Sequence, residues 1–460
     1  MTLNLHHEAL KNFNYHAEKL LKNIVIIHKE KDLSLIEKPS FEPDHFISAT
    51  ITEKEIKGDV IISSQNMIGI ENGRFFMHRG NRIGLCGENY QDLLKISKNM
   101  QRTKQLSPFI SISFLKNNIF NWIKEKYLNN TPISMTDYVL NKCEQELKDL
   151  EIWIPIAETF IQSDLQIGKV IIKTISKERL DLWSNLVSKE GDRKEERKKG
   201  FMMRYQKKLQ GISAATMKIN AEPKRAFEIA LEESEKALSI LRIFDPAIIH
   251  PRLNSNITLL GKEHLESYTY FVLNDEKDLS IEEGFLDGSG TALELSNKSI
   301  SMIKTMGLDI LSKVLVEGPK TNFHKQLLDS IFIYSRSPLA RDAIDKLIYI
   351  LVAIESILLK DDNEPIQQNI SRRMAYMIGN TVKERKVVIE NVIKIYKLRS
   401  SFIHHGQYID DFEYETLLTF MRNIWKFYQI LIKKINDFKD KQELIDRIEY
   451  SFLSGPPAAI

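Results

Sequence analysis

Leu347-Ile348-Tyr349-Ile350-Leu351-Val352-Ala353-Ile354-Glu355-Ser356-Ile357-Leu358-Leu359 is the most apolar stretch of the 460-residue chain. It is about 13 residues long, whereas crossing a bilayer takes about 20, and it contains a glutamate. It therefore predicts a buried helix and no membrane partner. The stripe Ile348, Leu351, Val352, Glu355 and Leu358/Leu359 turns the carboxylate toward the helix's own bundle. A carboxylate in that position needs a partner. Orientation of Arg399 or His404 is one role for Glu355, and a tie to Arg372, Arg373 or a backbone amide is the other.

Outward from this stretch, helical periods cover residues 323–334, 339–359, 366–378, 384–403 and 412–436. The links between them, Ser335-Arg336-Ser337-Pro338, Asp361-Asp362-Asn363-Glu364-Pro365, Gly379-Asn380-Thr381 and His405-Gly406-Gln407, are rich in capping and helix-stopping residues. Five helices on short links predict an all-α bundle over 319–460. Upstream, short apolar runs between 59 and 86 alternate with Glu71-Asn72-Gly73 and His78-Arg79-Gly80-Asn81, which read as hairpin turns of a β-meander. Helical spacing follows at 90–100 and 119–127, so residues 1–145 are expected to form a mixed α+β domain. A middle α+β domain is expected over 146–318. Its strand candidates are Ile152-Trp153-Ile154-Pro155-Ile156 and Val170-Ile171-Ile172 around the turn-like 164–168, with a third pair at 257–260 and 268–273. Its amphipathic helix, 227–242, places Phe227, Ala230, Leu231, Ala237, Leu238 and Leu241 on the apolar side. The fold class is thus α+β, with about three domains for this length.

Composition narrows the function. A net charge of +3 with 43% apolar residues excludes a disordered polyampholyte and a whole-chain nucleic-acid glue. The two cysteines, Cys86 and Cys143, lack CxxC spacing and a Cys/His cluster, which argues against a disulfide framework or structural zinc and makes a reducing cytoplasm the expected location. The first eight residues lack the basic start and apolar stretch of a signal peptide, so nothing suggests export. Residues 189–208 carry nine basic side chains against four acidic ones, suited either to tracking phosphates or to a solvated face laced with Glu/Lys pairs. His6-His7, Asp361-Asp362 and Asp410-Asp411 have no metal-site context, Asp287-Gly288-Ser289-Gly290 reads as a turn, and no Walker A, GxGxxG or GxSxG string occurs. No cofactor or metal is implied, and a phosphotransfer or nucleotide-binding enzyme is the least favoured class.

The chemistry-bearing segment is Ile395-Tyr396-Lys397-Leu398-Arg399-Ser400-Ser401-Phe402-Ile403-His404-His405-Gly406. Val388, Val392, Ile395, Tyr396 and Phe402 would hold the helix in place, and Gly406 can end it. On a regular helix His404 lies about 140° around from Arg399 and about 7.5 Å above it, a gap that a phosphate-sized ligand bridges. Arginine offers a permanent fork of donors. Histidine moves a proton near neutral pH. Without a metal, the two suffice to promote attack of an RNA 2'-hydroxyl on the adjacent phosphate. A histidine near a helix end also has a simpler role, as a partner of the helix dipole.

Residues 396–404, ending the fourth helix of the bundle, resemble the R-x4-6-H signature of the HEPN superfamily, in particular its Apea-like branch. Residues 351–359 resemble that branch's apolar helix with one embedded glutamate, and Arg373-Met374-Ala375-Tyr376-Met377-Ile378 its next helix. The likeness covers 323–436, about a quarter of the chain. It implies a metal-independent endoribonuclease acting as a homodimer, often as a toxin or in antiviral defence. Arg399 would bind phosphate and stabilise charge, His404 would transfer a proton, and Ser400 would fill the polar position after the arginine. In that branch a glycine commonly follows the histidine. Here His405 takes that place and, at six residues from Arg399, is itself within the tolerated spacing, with His404 the preferred candidate. The N-terminal region would sense or restrain. A catalytically silent HEPN module for dimerisation or RNA binding is the alternative. The stripe Tyr414, Leu417/Leu418, Met421, Ile424/Trp425, Tyr428 and Leu431/Ile432, widened by Phe420, Phe427 and Ile430, exceeds the arc one bundle core requires. The excess would face either a second subunit or the N-terminal domains of the same chain.

Overall fold

The computed structural model describes residues 3–27, 61–65, 70–79, 81–187, 206, 208–260, 268–274, 278–284, 290–361, 363–405 and 411–453. The chain forms two compact units, Met1–Leu150 with Lys218–Glu228, and Glu151–Met217 with Ile229–Ile460. Mixed α+β architecture is observed, with the described strands falling between Val25 and Leu295 and helices making up the C-terminal region. The first division falls at Leu150/Glu151, and in the second unit a single apolar cluster runs from Ile156 to Ile448.

In the first unit, β1 (Val25–Ile27), β2 (Ile61–Gln65), β3 (Glu71–His78) and β4 (Asn81–Cys86) form an antiparallel sheet in the order β1-β4-β3-β2. Helices α1 (His7–Lys22), α2 (Gly87–Gln101), α3 (Ile112–Asn129) and α4 (Met135–Glu146) accompany it. Phe76, Leu85, Tyr90, Phe120 and Trp122 are fully buried in one core. The meander is present and His78 pairs with Asn81 at its tight turn. Glu71-Asn72-Gly73, however, is strand and not turn. Gly73 sits opposite Ser64 and Cys86, where an added Cβ would meet Ser64 Oγ at 2.5 Å. The glycine answers a close cross-strand approach, which carries the same Asn-Gly text as a hairpin turn.

The second unit holds the sheet β5-β9-β8-β7, built from β5 (Lys148–Pro155), β7 (Leu165–Ile167), β8 (Val170–Thr174) and β9 (Ser213–Ala221). The chain passes between the units within β5, within β9 and within the helix Pro223–Arg242. Short strands β6 (Thr159–Ile161), β10 (Asn254–Ser255), β11 (Tyr268–Asn274), β12 (Asp278–Gly284), β13 (Gly290–Thr291) and β14 (Leu293–Leu295) form three further pairs. Part of the turn expected at 164–168 is strand β7, and the reversal falls at Gly168, φ 61°. The strand expected at 257–260 is irregular. Its backbone bonds go singly to residues 155–157, Leu260 N–H to Pro155 O at 2.8 Å and Ala157 N–H to Thr258 O at 2.8 Å, while Ile257 and Leu259 are buried. Most of the basic segment 189–208, residues 287–289 of the expected turn and the sequence 67–69 lie outside the described residues, and Gly290 begins strand β13.

The helices are α5 (Lys177–Val187), α6 (Pro223–Arg242), α7 (Asn297–Ile303), α8 (Asp309–Glu317), α9 (Asn322–Tyr334), α10 (Ala343–Leu358), α11 (Ile366–Ile378), α12 (Val382–His405), α13 (Asp411–Lys433) and α14 (Lys441–Leu453). On α6, Ala226 takes the inward place and leaves Phe227 49% exposed. The five expected C-terminal helices are α9 to α13, and α14 was not anticipated. Among the described residues no helix is long and apolar enough to cross a membrane. Within the bundle Ser330 Oγ donates to Ala353 O at 2.7 Å and pairs with the Tyr428 hydroxyl at 2.6 Å, and Tyr334 stacks on Tyr428 with centroids 4.5 Å apart. The excess apolar face of α13 is used inside this unit. Phe420 and Phe427 are fully buried, and Trp425 Nε1 donates to Ile243 O at 3.0 Å. That face therefore gives no support for a subunit contact.

Candidate active site at the end of helix α12

Helix α12 continues through His405, so Arg399, Ser400, His404 and His405 all lie on regular helix. Val388, Val392, Ile395 and Tyr396 are buried and anchor it against α10, α11 and α13. Ser400 and His404 are exposed, and Arg399 is half-buried. Helical geometry sets the Arg399 and His404 side chains about 140° apart around the axis, with a rise of about 7.5 Å. The His405 backbone is helical, and its side chain lies outside what is described.

Glu355, half-buried on α10, serves neither Arg399 nor His404 directly. Its Oε1 accepts a hydrogen bond from the Tyr396 hydroxyl at 2.9 Å. The tie to Arg372 or Arg373 is also not formed. Arg373 is spent on Glu364, at 2.7 and 2.8 Å, and on Glu449 at 2.5 Å. Tyr396 is the residue that sequence reasoning placed only as apolar support. It is 8% exposed, and burial first, then the Glu355 charge and hydrogen bond, hold its phenol well above the ordinary value, while Arg399 pulls it down. Arg399 thus lies within electrostatic reach of the Tyr396–Glu355 pair. Its guanidinium has no hydrogen bond or ion pair with any described residue.

A further cation belongs to this face. Lys397 is exposed, and seven residues before His404 it lies within about 20° of it around the axis. The i, i+7 spacing was legible in the sequence and was not used. Arg399, Lys397 and His404 therefore offer a fork of donors, a mobile ammonium and an imidazole along the last three turns of one helix. This set suits an anionic ester, with charge stabilisation from the arginine and proton transfer by the histidine.

No family model, curated protein or solved structure matches this chain.

Proposed function

We propose that the helical bundle is a metal-independent endoribonuclease with Arg399 and His404 as its catalytic pair. One observation carries the reading: a half-buried arginine without a hydrogen bond or ion pair among the described residues, on the helix that presents an exposed histidine about one and a half turns later. In the reaction the RNA 2'-oxygen forms a bond to phosphorus and the P–O5' bond breaks. The 2'-hydroxyl proton leaves to imidazole, and the departing 5'-oxygen takes up a proton. The products are a 2',3'-cyclic phosphate and a 5'-hydroxyl. Arg399 offsets charge gathering on the non-bridging oxygens, Tyr396 and Glu355 position it, and Ser400 or His405 supplies additional polar contact. The reading includes a homodimer, with Ile403, 52% exposed beside His404, as an apolar contact between two copies. A cytoplasmic toxin or antiviral role, with the N-terminal region as sensor or restraint, rests on the resemblance alone.

The test is incubation of the full chain with mixed RNA in EDTA, with the ends of the products mapped. Cleavage should persist under chelation, and His404→Ala should lower the rate by about 10² to 10⁴. Equal cleavage by the wild type and by the Arg399→Ala/His404→Ala double variant overturns the site. RNA binding without cleavage in every condition favours a silent HEPN module.

A further inference from the structure

Helices α11 and α12 leave an open groove between them, of about 570 Å³. Ile366, Gln367, Gln368 and Arg372 of α11 line one wall, and Ile389 and Ile393 of α12 line the other. The site described above does not use it. Among the described residues no carboxylate lines it. The isoleucines keep part of their apolar surface open: Ile366 is 37% exposed, and Ile389 and Ile393 are half-buried. The cation of the groove, Arg372, is exposed and held from within the protein. The Gln368 side-chain oxygen, one turn earlier on the same helix, accepts from both of its terminal nitrogens, at 3.0 and 3.1 Å. That acceptor is neutral, and Arg372 makes no ion pair with any described residue, so the guanidinium is oriented without its charge being cancelled.

The two isoleucines of α12 belong to a longer stripe. Lys386, Ile389, Ile393, Lys397, Ser400 and His404 follow one another at steps of three or four residues, and on a regular helix all six fall within about 80° of arc. Lys386 and Lys397 are exposed, one turn below Ile389 and one turn above Ile393. Two ammonium groups thus bound the apolar trough along the helix. The same line of side chains reaches His404 about 16 Å beyond Ile393. The two helices, Ile366–Ile378 and Val382–His405, together hold eight Lys and Arg against two Glu, +6 in a chain whose total is +3. Only one of the eight, Arg373, is spent inside the bundle on carboxylates, those of Glu364 and Glu449.

We propose that this groove binds one unpaired nucleotide of a single-stranded RNA, with the base between the two helices and the flanking phosphates on Arg372, Lys386 and Lys397, so that the strand runs along α12 to Arg399 and His404. The choice of RNA rests on the ribonuclease reading, whereas the preference for an unpaired polyanion rests on the groove itself. A trough of isoleucines bounded by cations suits a ligand with flat apolar faces and a charged backbone. A duplex keeps its bases stacked inside and offers such a trough only phosphates. Gln368 has given its oxygen to Arg372, which leaves its amide nitrogen as a donor, and Gln367 beside it offers a second amide. These groups can meet the edge of a base while the isoleucines cover its face. The volume lies within the range of about 300 to 1,000 Å³ common for small-molecule sites.

The test uses the full chain and a fluorescein-labelled 2'-O-methyl RNA oligonucleotide of mixed sequence, which lacks the attacking hydroxyl and so reports binding alone. Anisotropy titration should saturate, with affinity about 10-fold lower once the oligonucleotide is annealed to its complement. Arg372→Gln should weaken binding about 10-fold. It should also reduce the slope of log K against log salt by about 0.7, the loss of one phosphate contact on a single strand. A second measurement needs no variant. With 4-thiouridine in the strand, ultraviolet crosslinks on the wild-type chain should map to residues 365–372 and 386–397. Binding and crosslinking here by a chain that cuts no RNA supports the proposal and removes the ribonuclease reading. Cleavage by Arg399 and His404 with crosslinks only elsewhere overturns the proposal and leaves that reading intact. So does an affinity and salt slope unchanged in the Arg372→Gln/Lys386→Gln double variant. Failure of the oligonucleotide to bind, or equal affinity for the duplex, overturns the proposal as well.

Discussion

Replacing Tyr396 with phenylalanine removes one oxygen and one hydrogen bond, that to Glu355 at 2.9 Å. The ring stays, so the buried apolar contacts of α12 stay with it. A hydrogen bond to a charged acceptor contributes about 1.5 to 3 kcal/mol, and the acceptor here keeps its charge after the change. The second unit has about 300 residues, and at about 2.1 cal/mol/K per residue its unfolding entropy is about 0.6 kcal/mol/K. Tyr396→Phe should therefore lower the unfolding midpoint of this unit by about 2 to 5 °C at pH 7, read by calorimetry. The pH dependence has a definite sign. Because the folded phenol is held above its ordinary pKa of 10.0, its contribution is complete below pH 10 and is lost as pH rises beyond it, at up to about 1.4 kcal/mol per pH unit. The gap between wild type and variant should hold steady up to about pH 9 and narrow as pH rises through 10 to 11. Other buried tyrosines, Tyr334 and Tyr428 among them, cancel in that difference. In a cycle with Glu355→Gln, the coupling should approach the same 1.5 to 3 kcal/mol. A midpoint within 1 °C of wild type, with additive single effects and no change of the gap in alkali, would refute the Tyr396–Glu355 bond and with it the positioning of Arg399.

Three further outcomes follow from the bundle. Arg373→Met leaves Glu364 and Glu449 facing each other without their shared cation and should cost about 3 to 5 kcal/mol by denaturant unfolding. The hydrogen bond from Arg373 is the main cause holding Glu364 down to about 2. That stabilisation is complete above the ordinary 4.5 and lost as pH falls toward 2, so the Arg373→Met deficit should shrink in acid. A deficit constant across pH 2 to 5 would contradict it. Gly307→Ala forces a side chain onto a residue at φ 119° and puts a Cβ 2.5 Å from Ile432 Cγ2. A loss of at least about 1 to 3 kcal/mol is expected, and thermal stability equal to wild type would show that the turn is not held as described. Ser330→Ala leaves the Tyr428 hydroxyl buried without its partner and should cost about 1 to 3 kcal/mol, checked by urea unfolding.

The helices α9 to α13 were legible because their apolar stripes repeat at helical spacing and their ends carry capping or stop residues. Ile366–Ile378, set between Pro365 and Gly379, was read to the residue. What failed depended on contacts distant in sequence. Gly73 looks like a turn residue until Ser64 is placed against it. Ile257 and Leu259 look like strand until their neighbours' hydrogen bonds are traced to residues 155–157. Helix α14 is held by contacts distant in sequence, its Glu449 being tied to Arg373 and Lys360, residues more than seventy positions earlier. The site was legible in part. Arg399 and His404 could be singled out by type and spacing, but no local pattern says that Glu355 takes the Tyr396 hydroxyl. Nor does any local pattern say that Lys346, at the head of an apolar helix, is buried against a carbonyl of residue 253.

The arginines of the bundle show why Arg399 matters more than its spacing does. Arg373 is buried and meets Leu358 O, Glu364 and Glu449. Arg385, half-buried, donates to Gly379 O at 3.0 Å and lies 4.1 Å from the Tyr376 ring centroid. Arg336, Arg372 and Arg422 are exposed, where water satisfies a guanidinium at little cost. Arg399, also half-buried, has neither acceptor nor ring among the described residues. Among the described residues the bundle gives Arg373 and Arg385 hydrogen-bond acceptors and leaves Arg399 with the electrostatic influence of the Tyr396–Glu355 pair. Partial desolvation without a partner raises the free energy of the unliganded protein. It is also the state from which an incoming phosphodiester gains most, since the donors are already held in place and no internal bond must break to free them. The same reasoning makes Arg399→Lys a poor substitute, because an ammonium would recover its hydration by swinging outward and give up the fork.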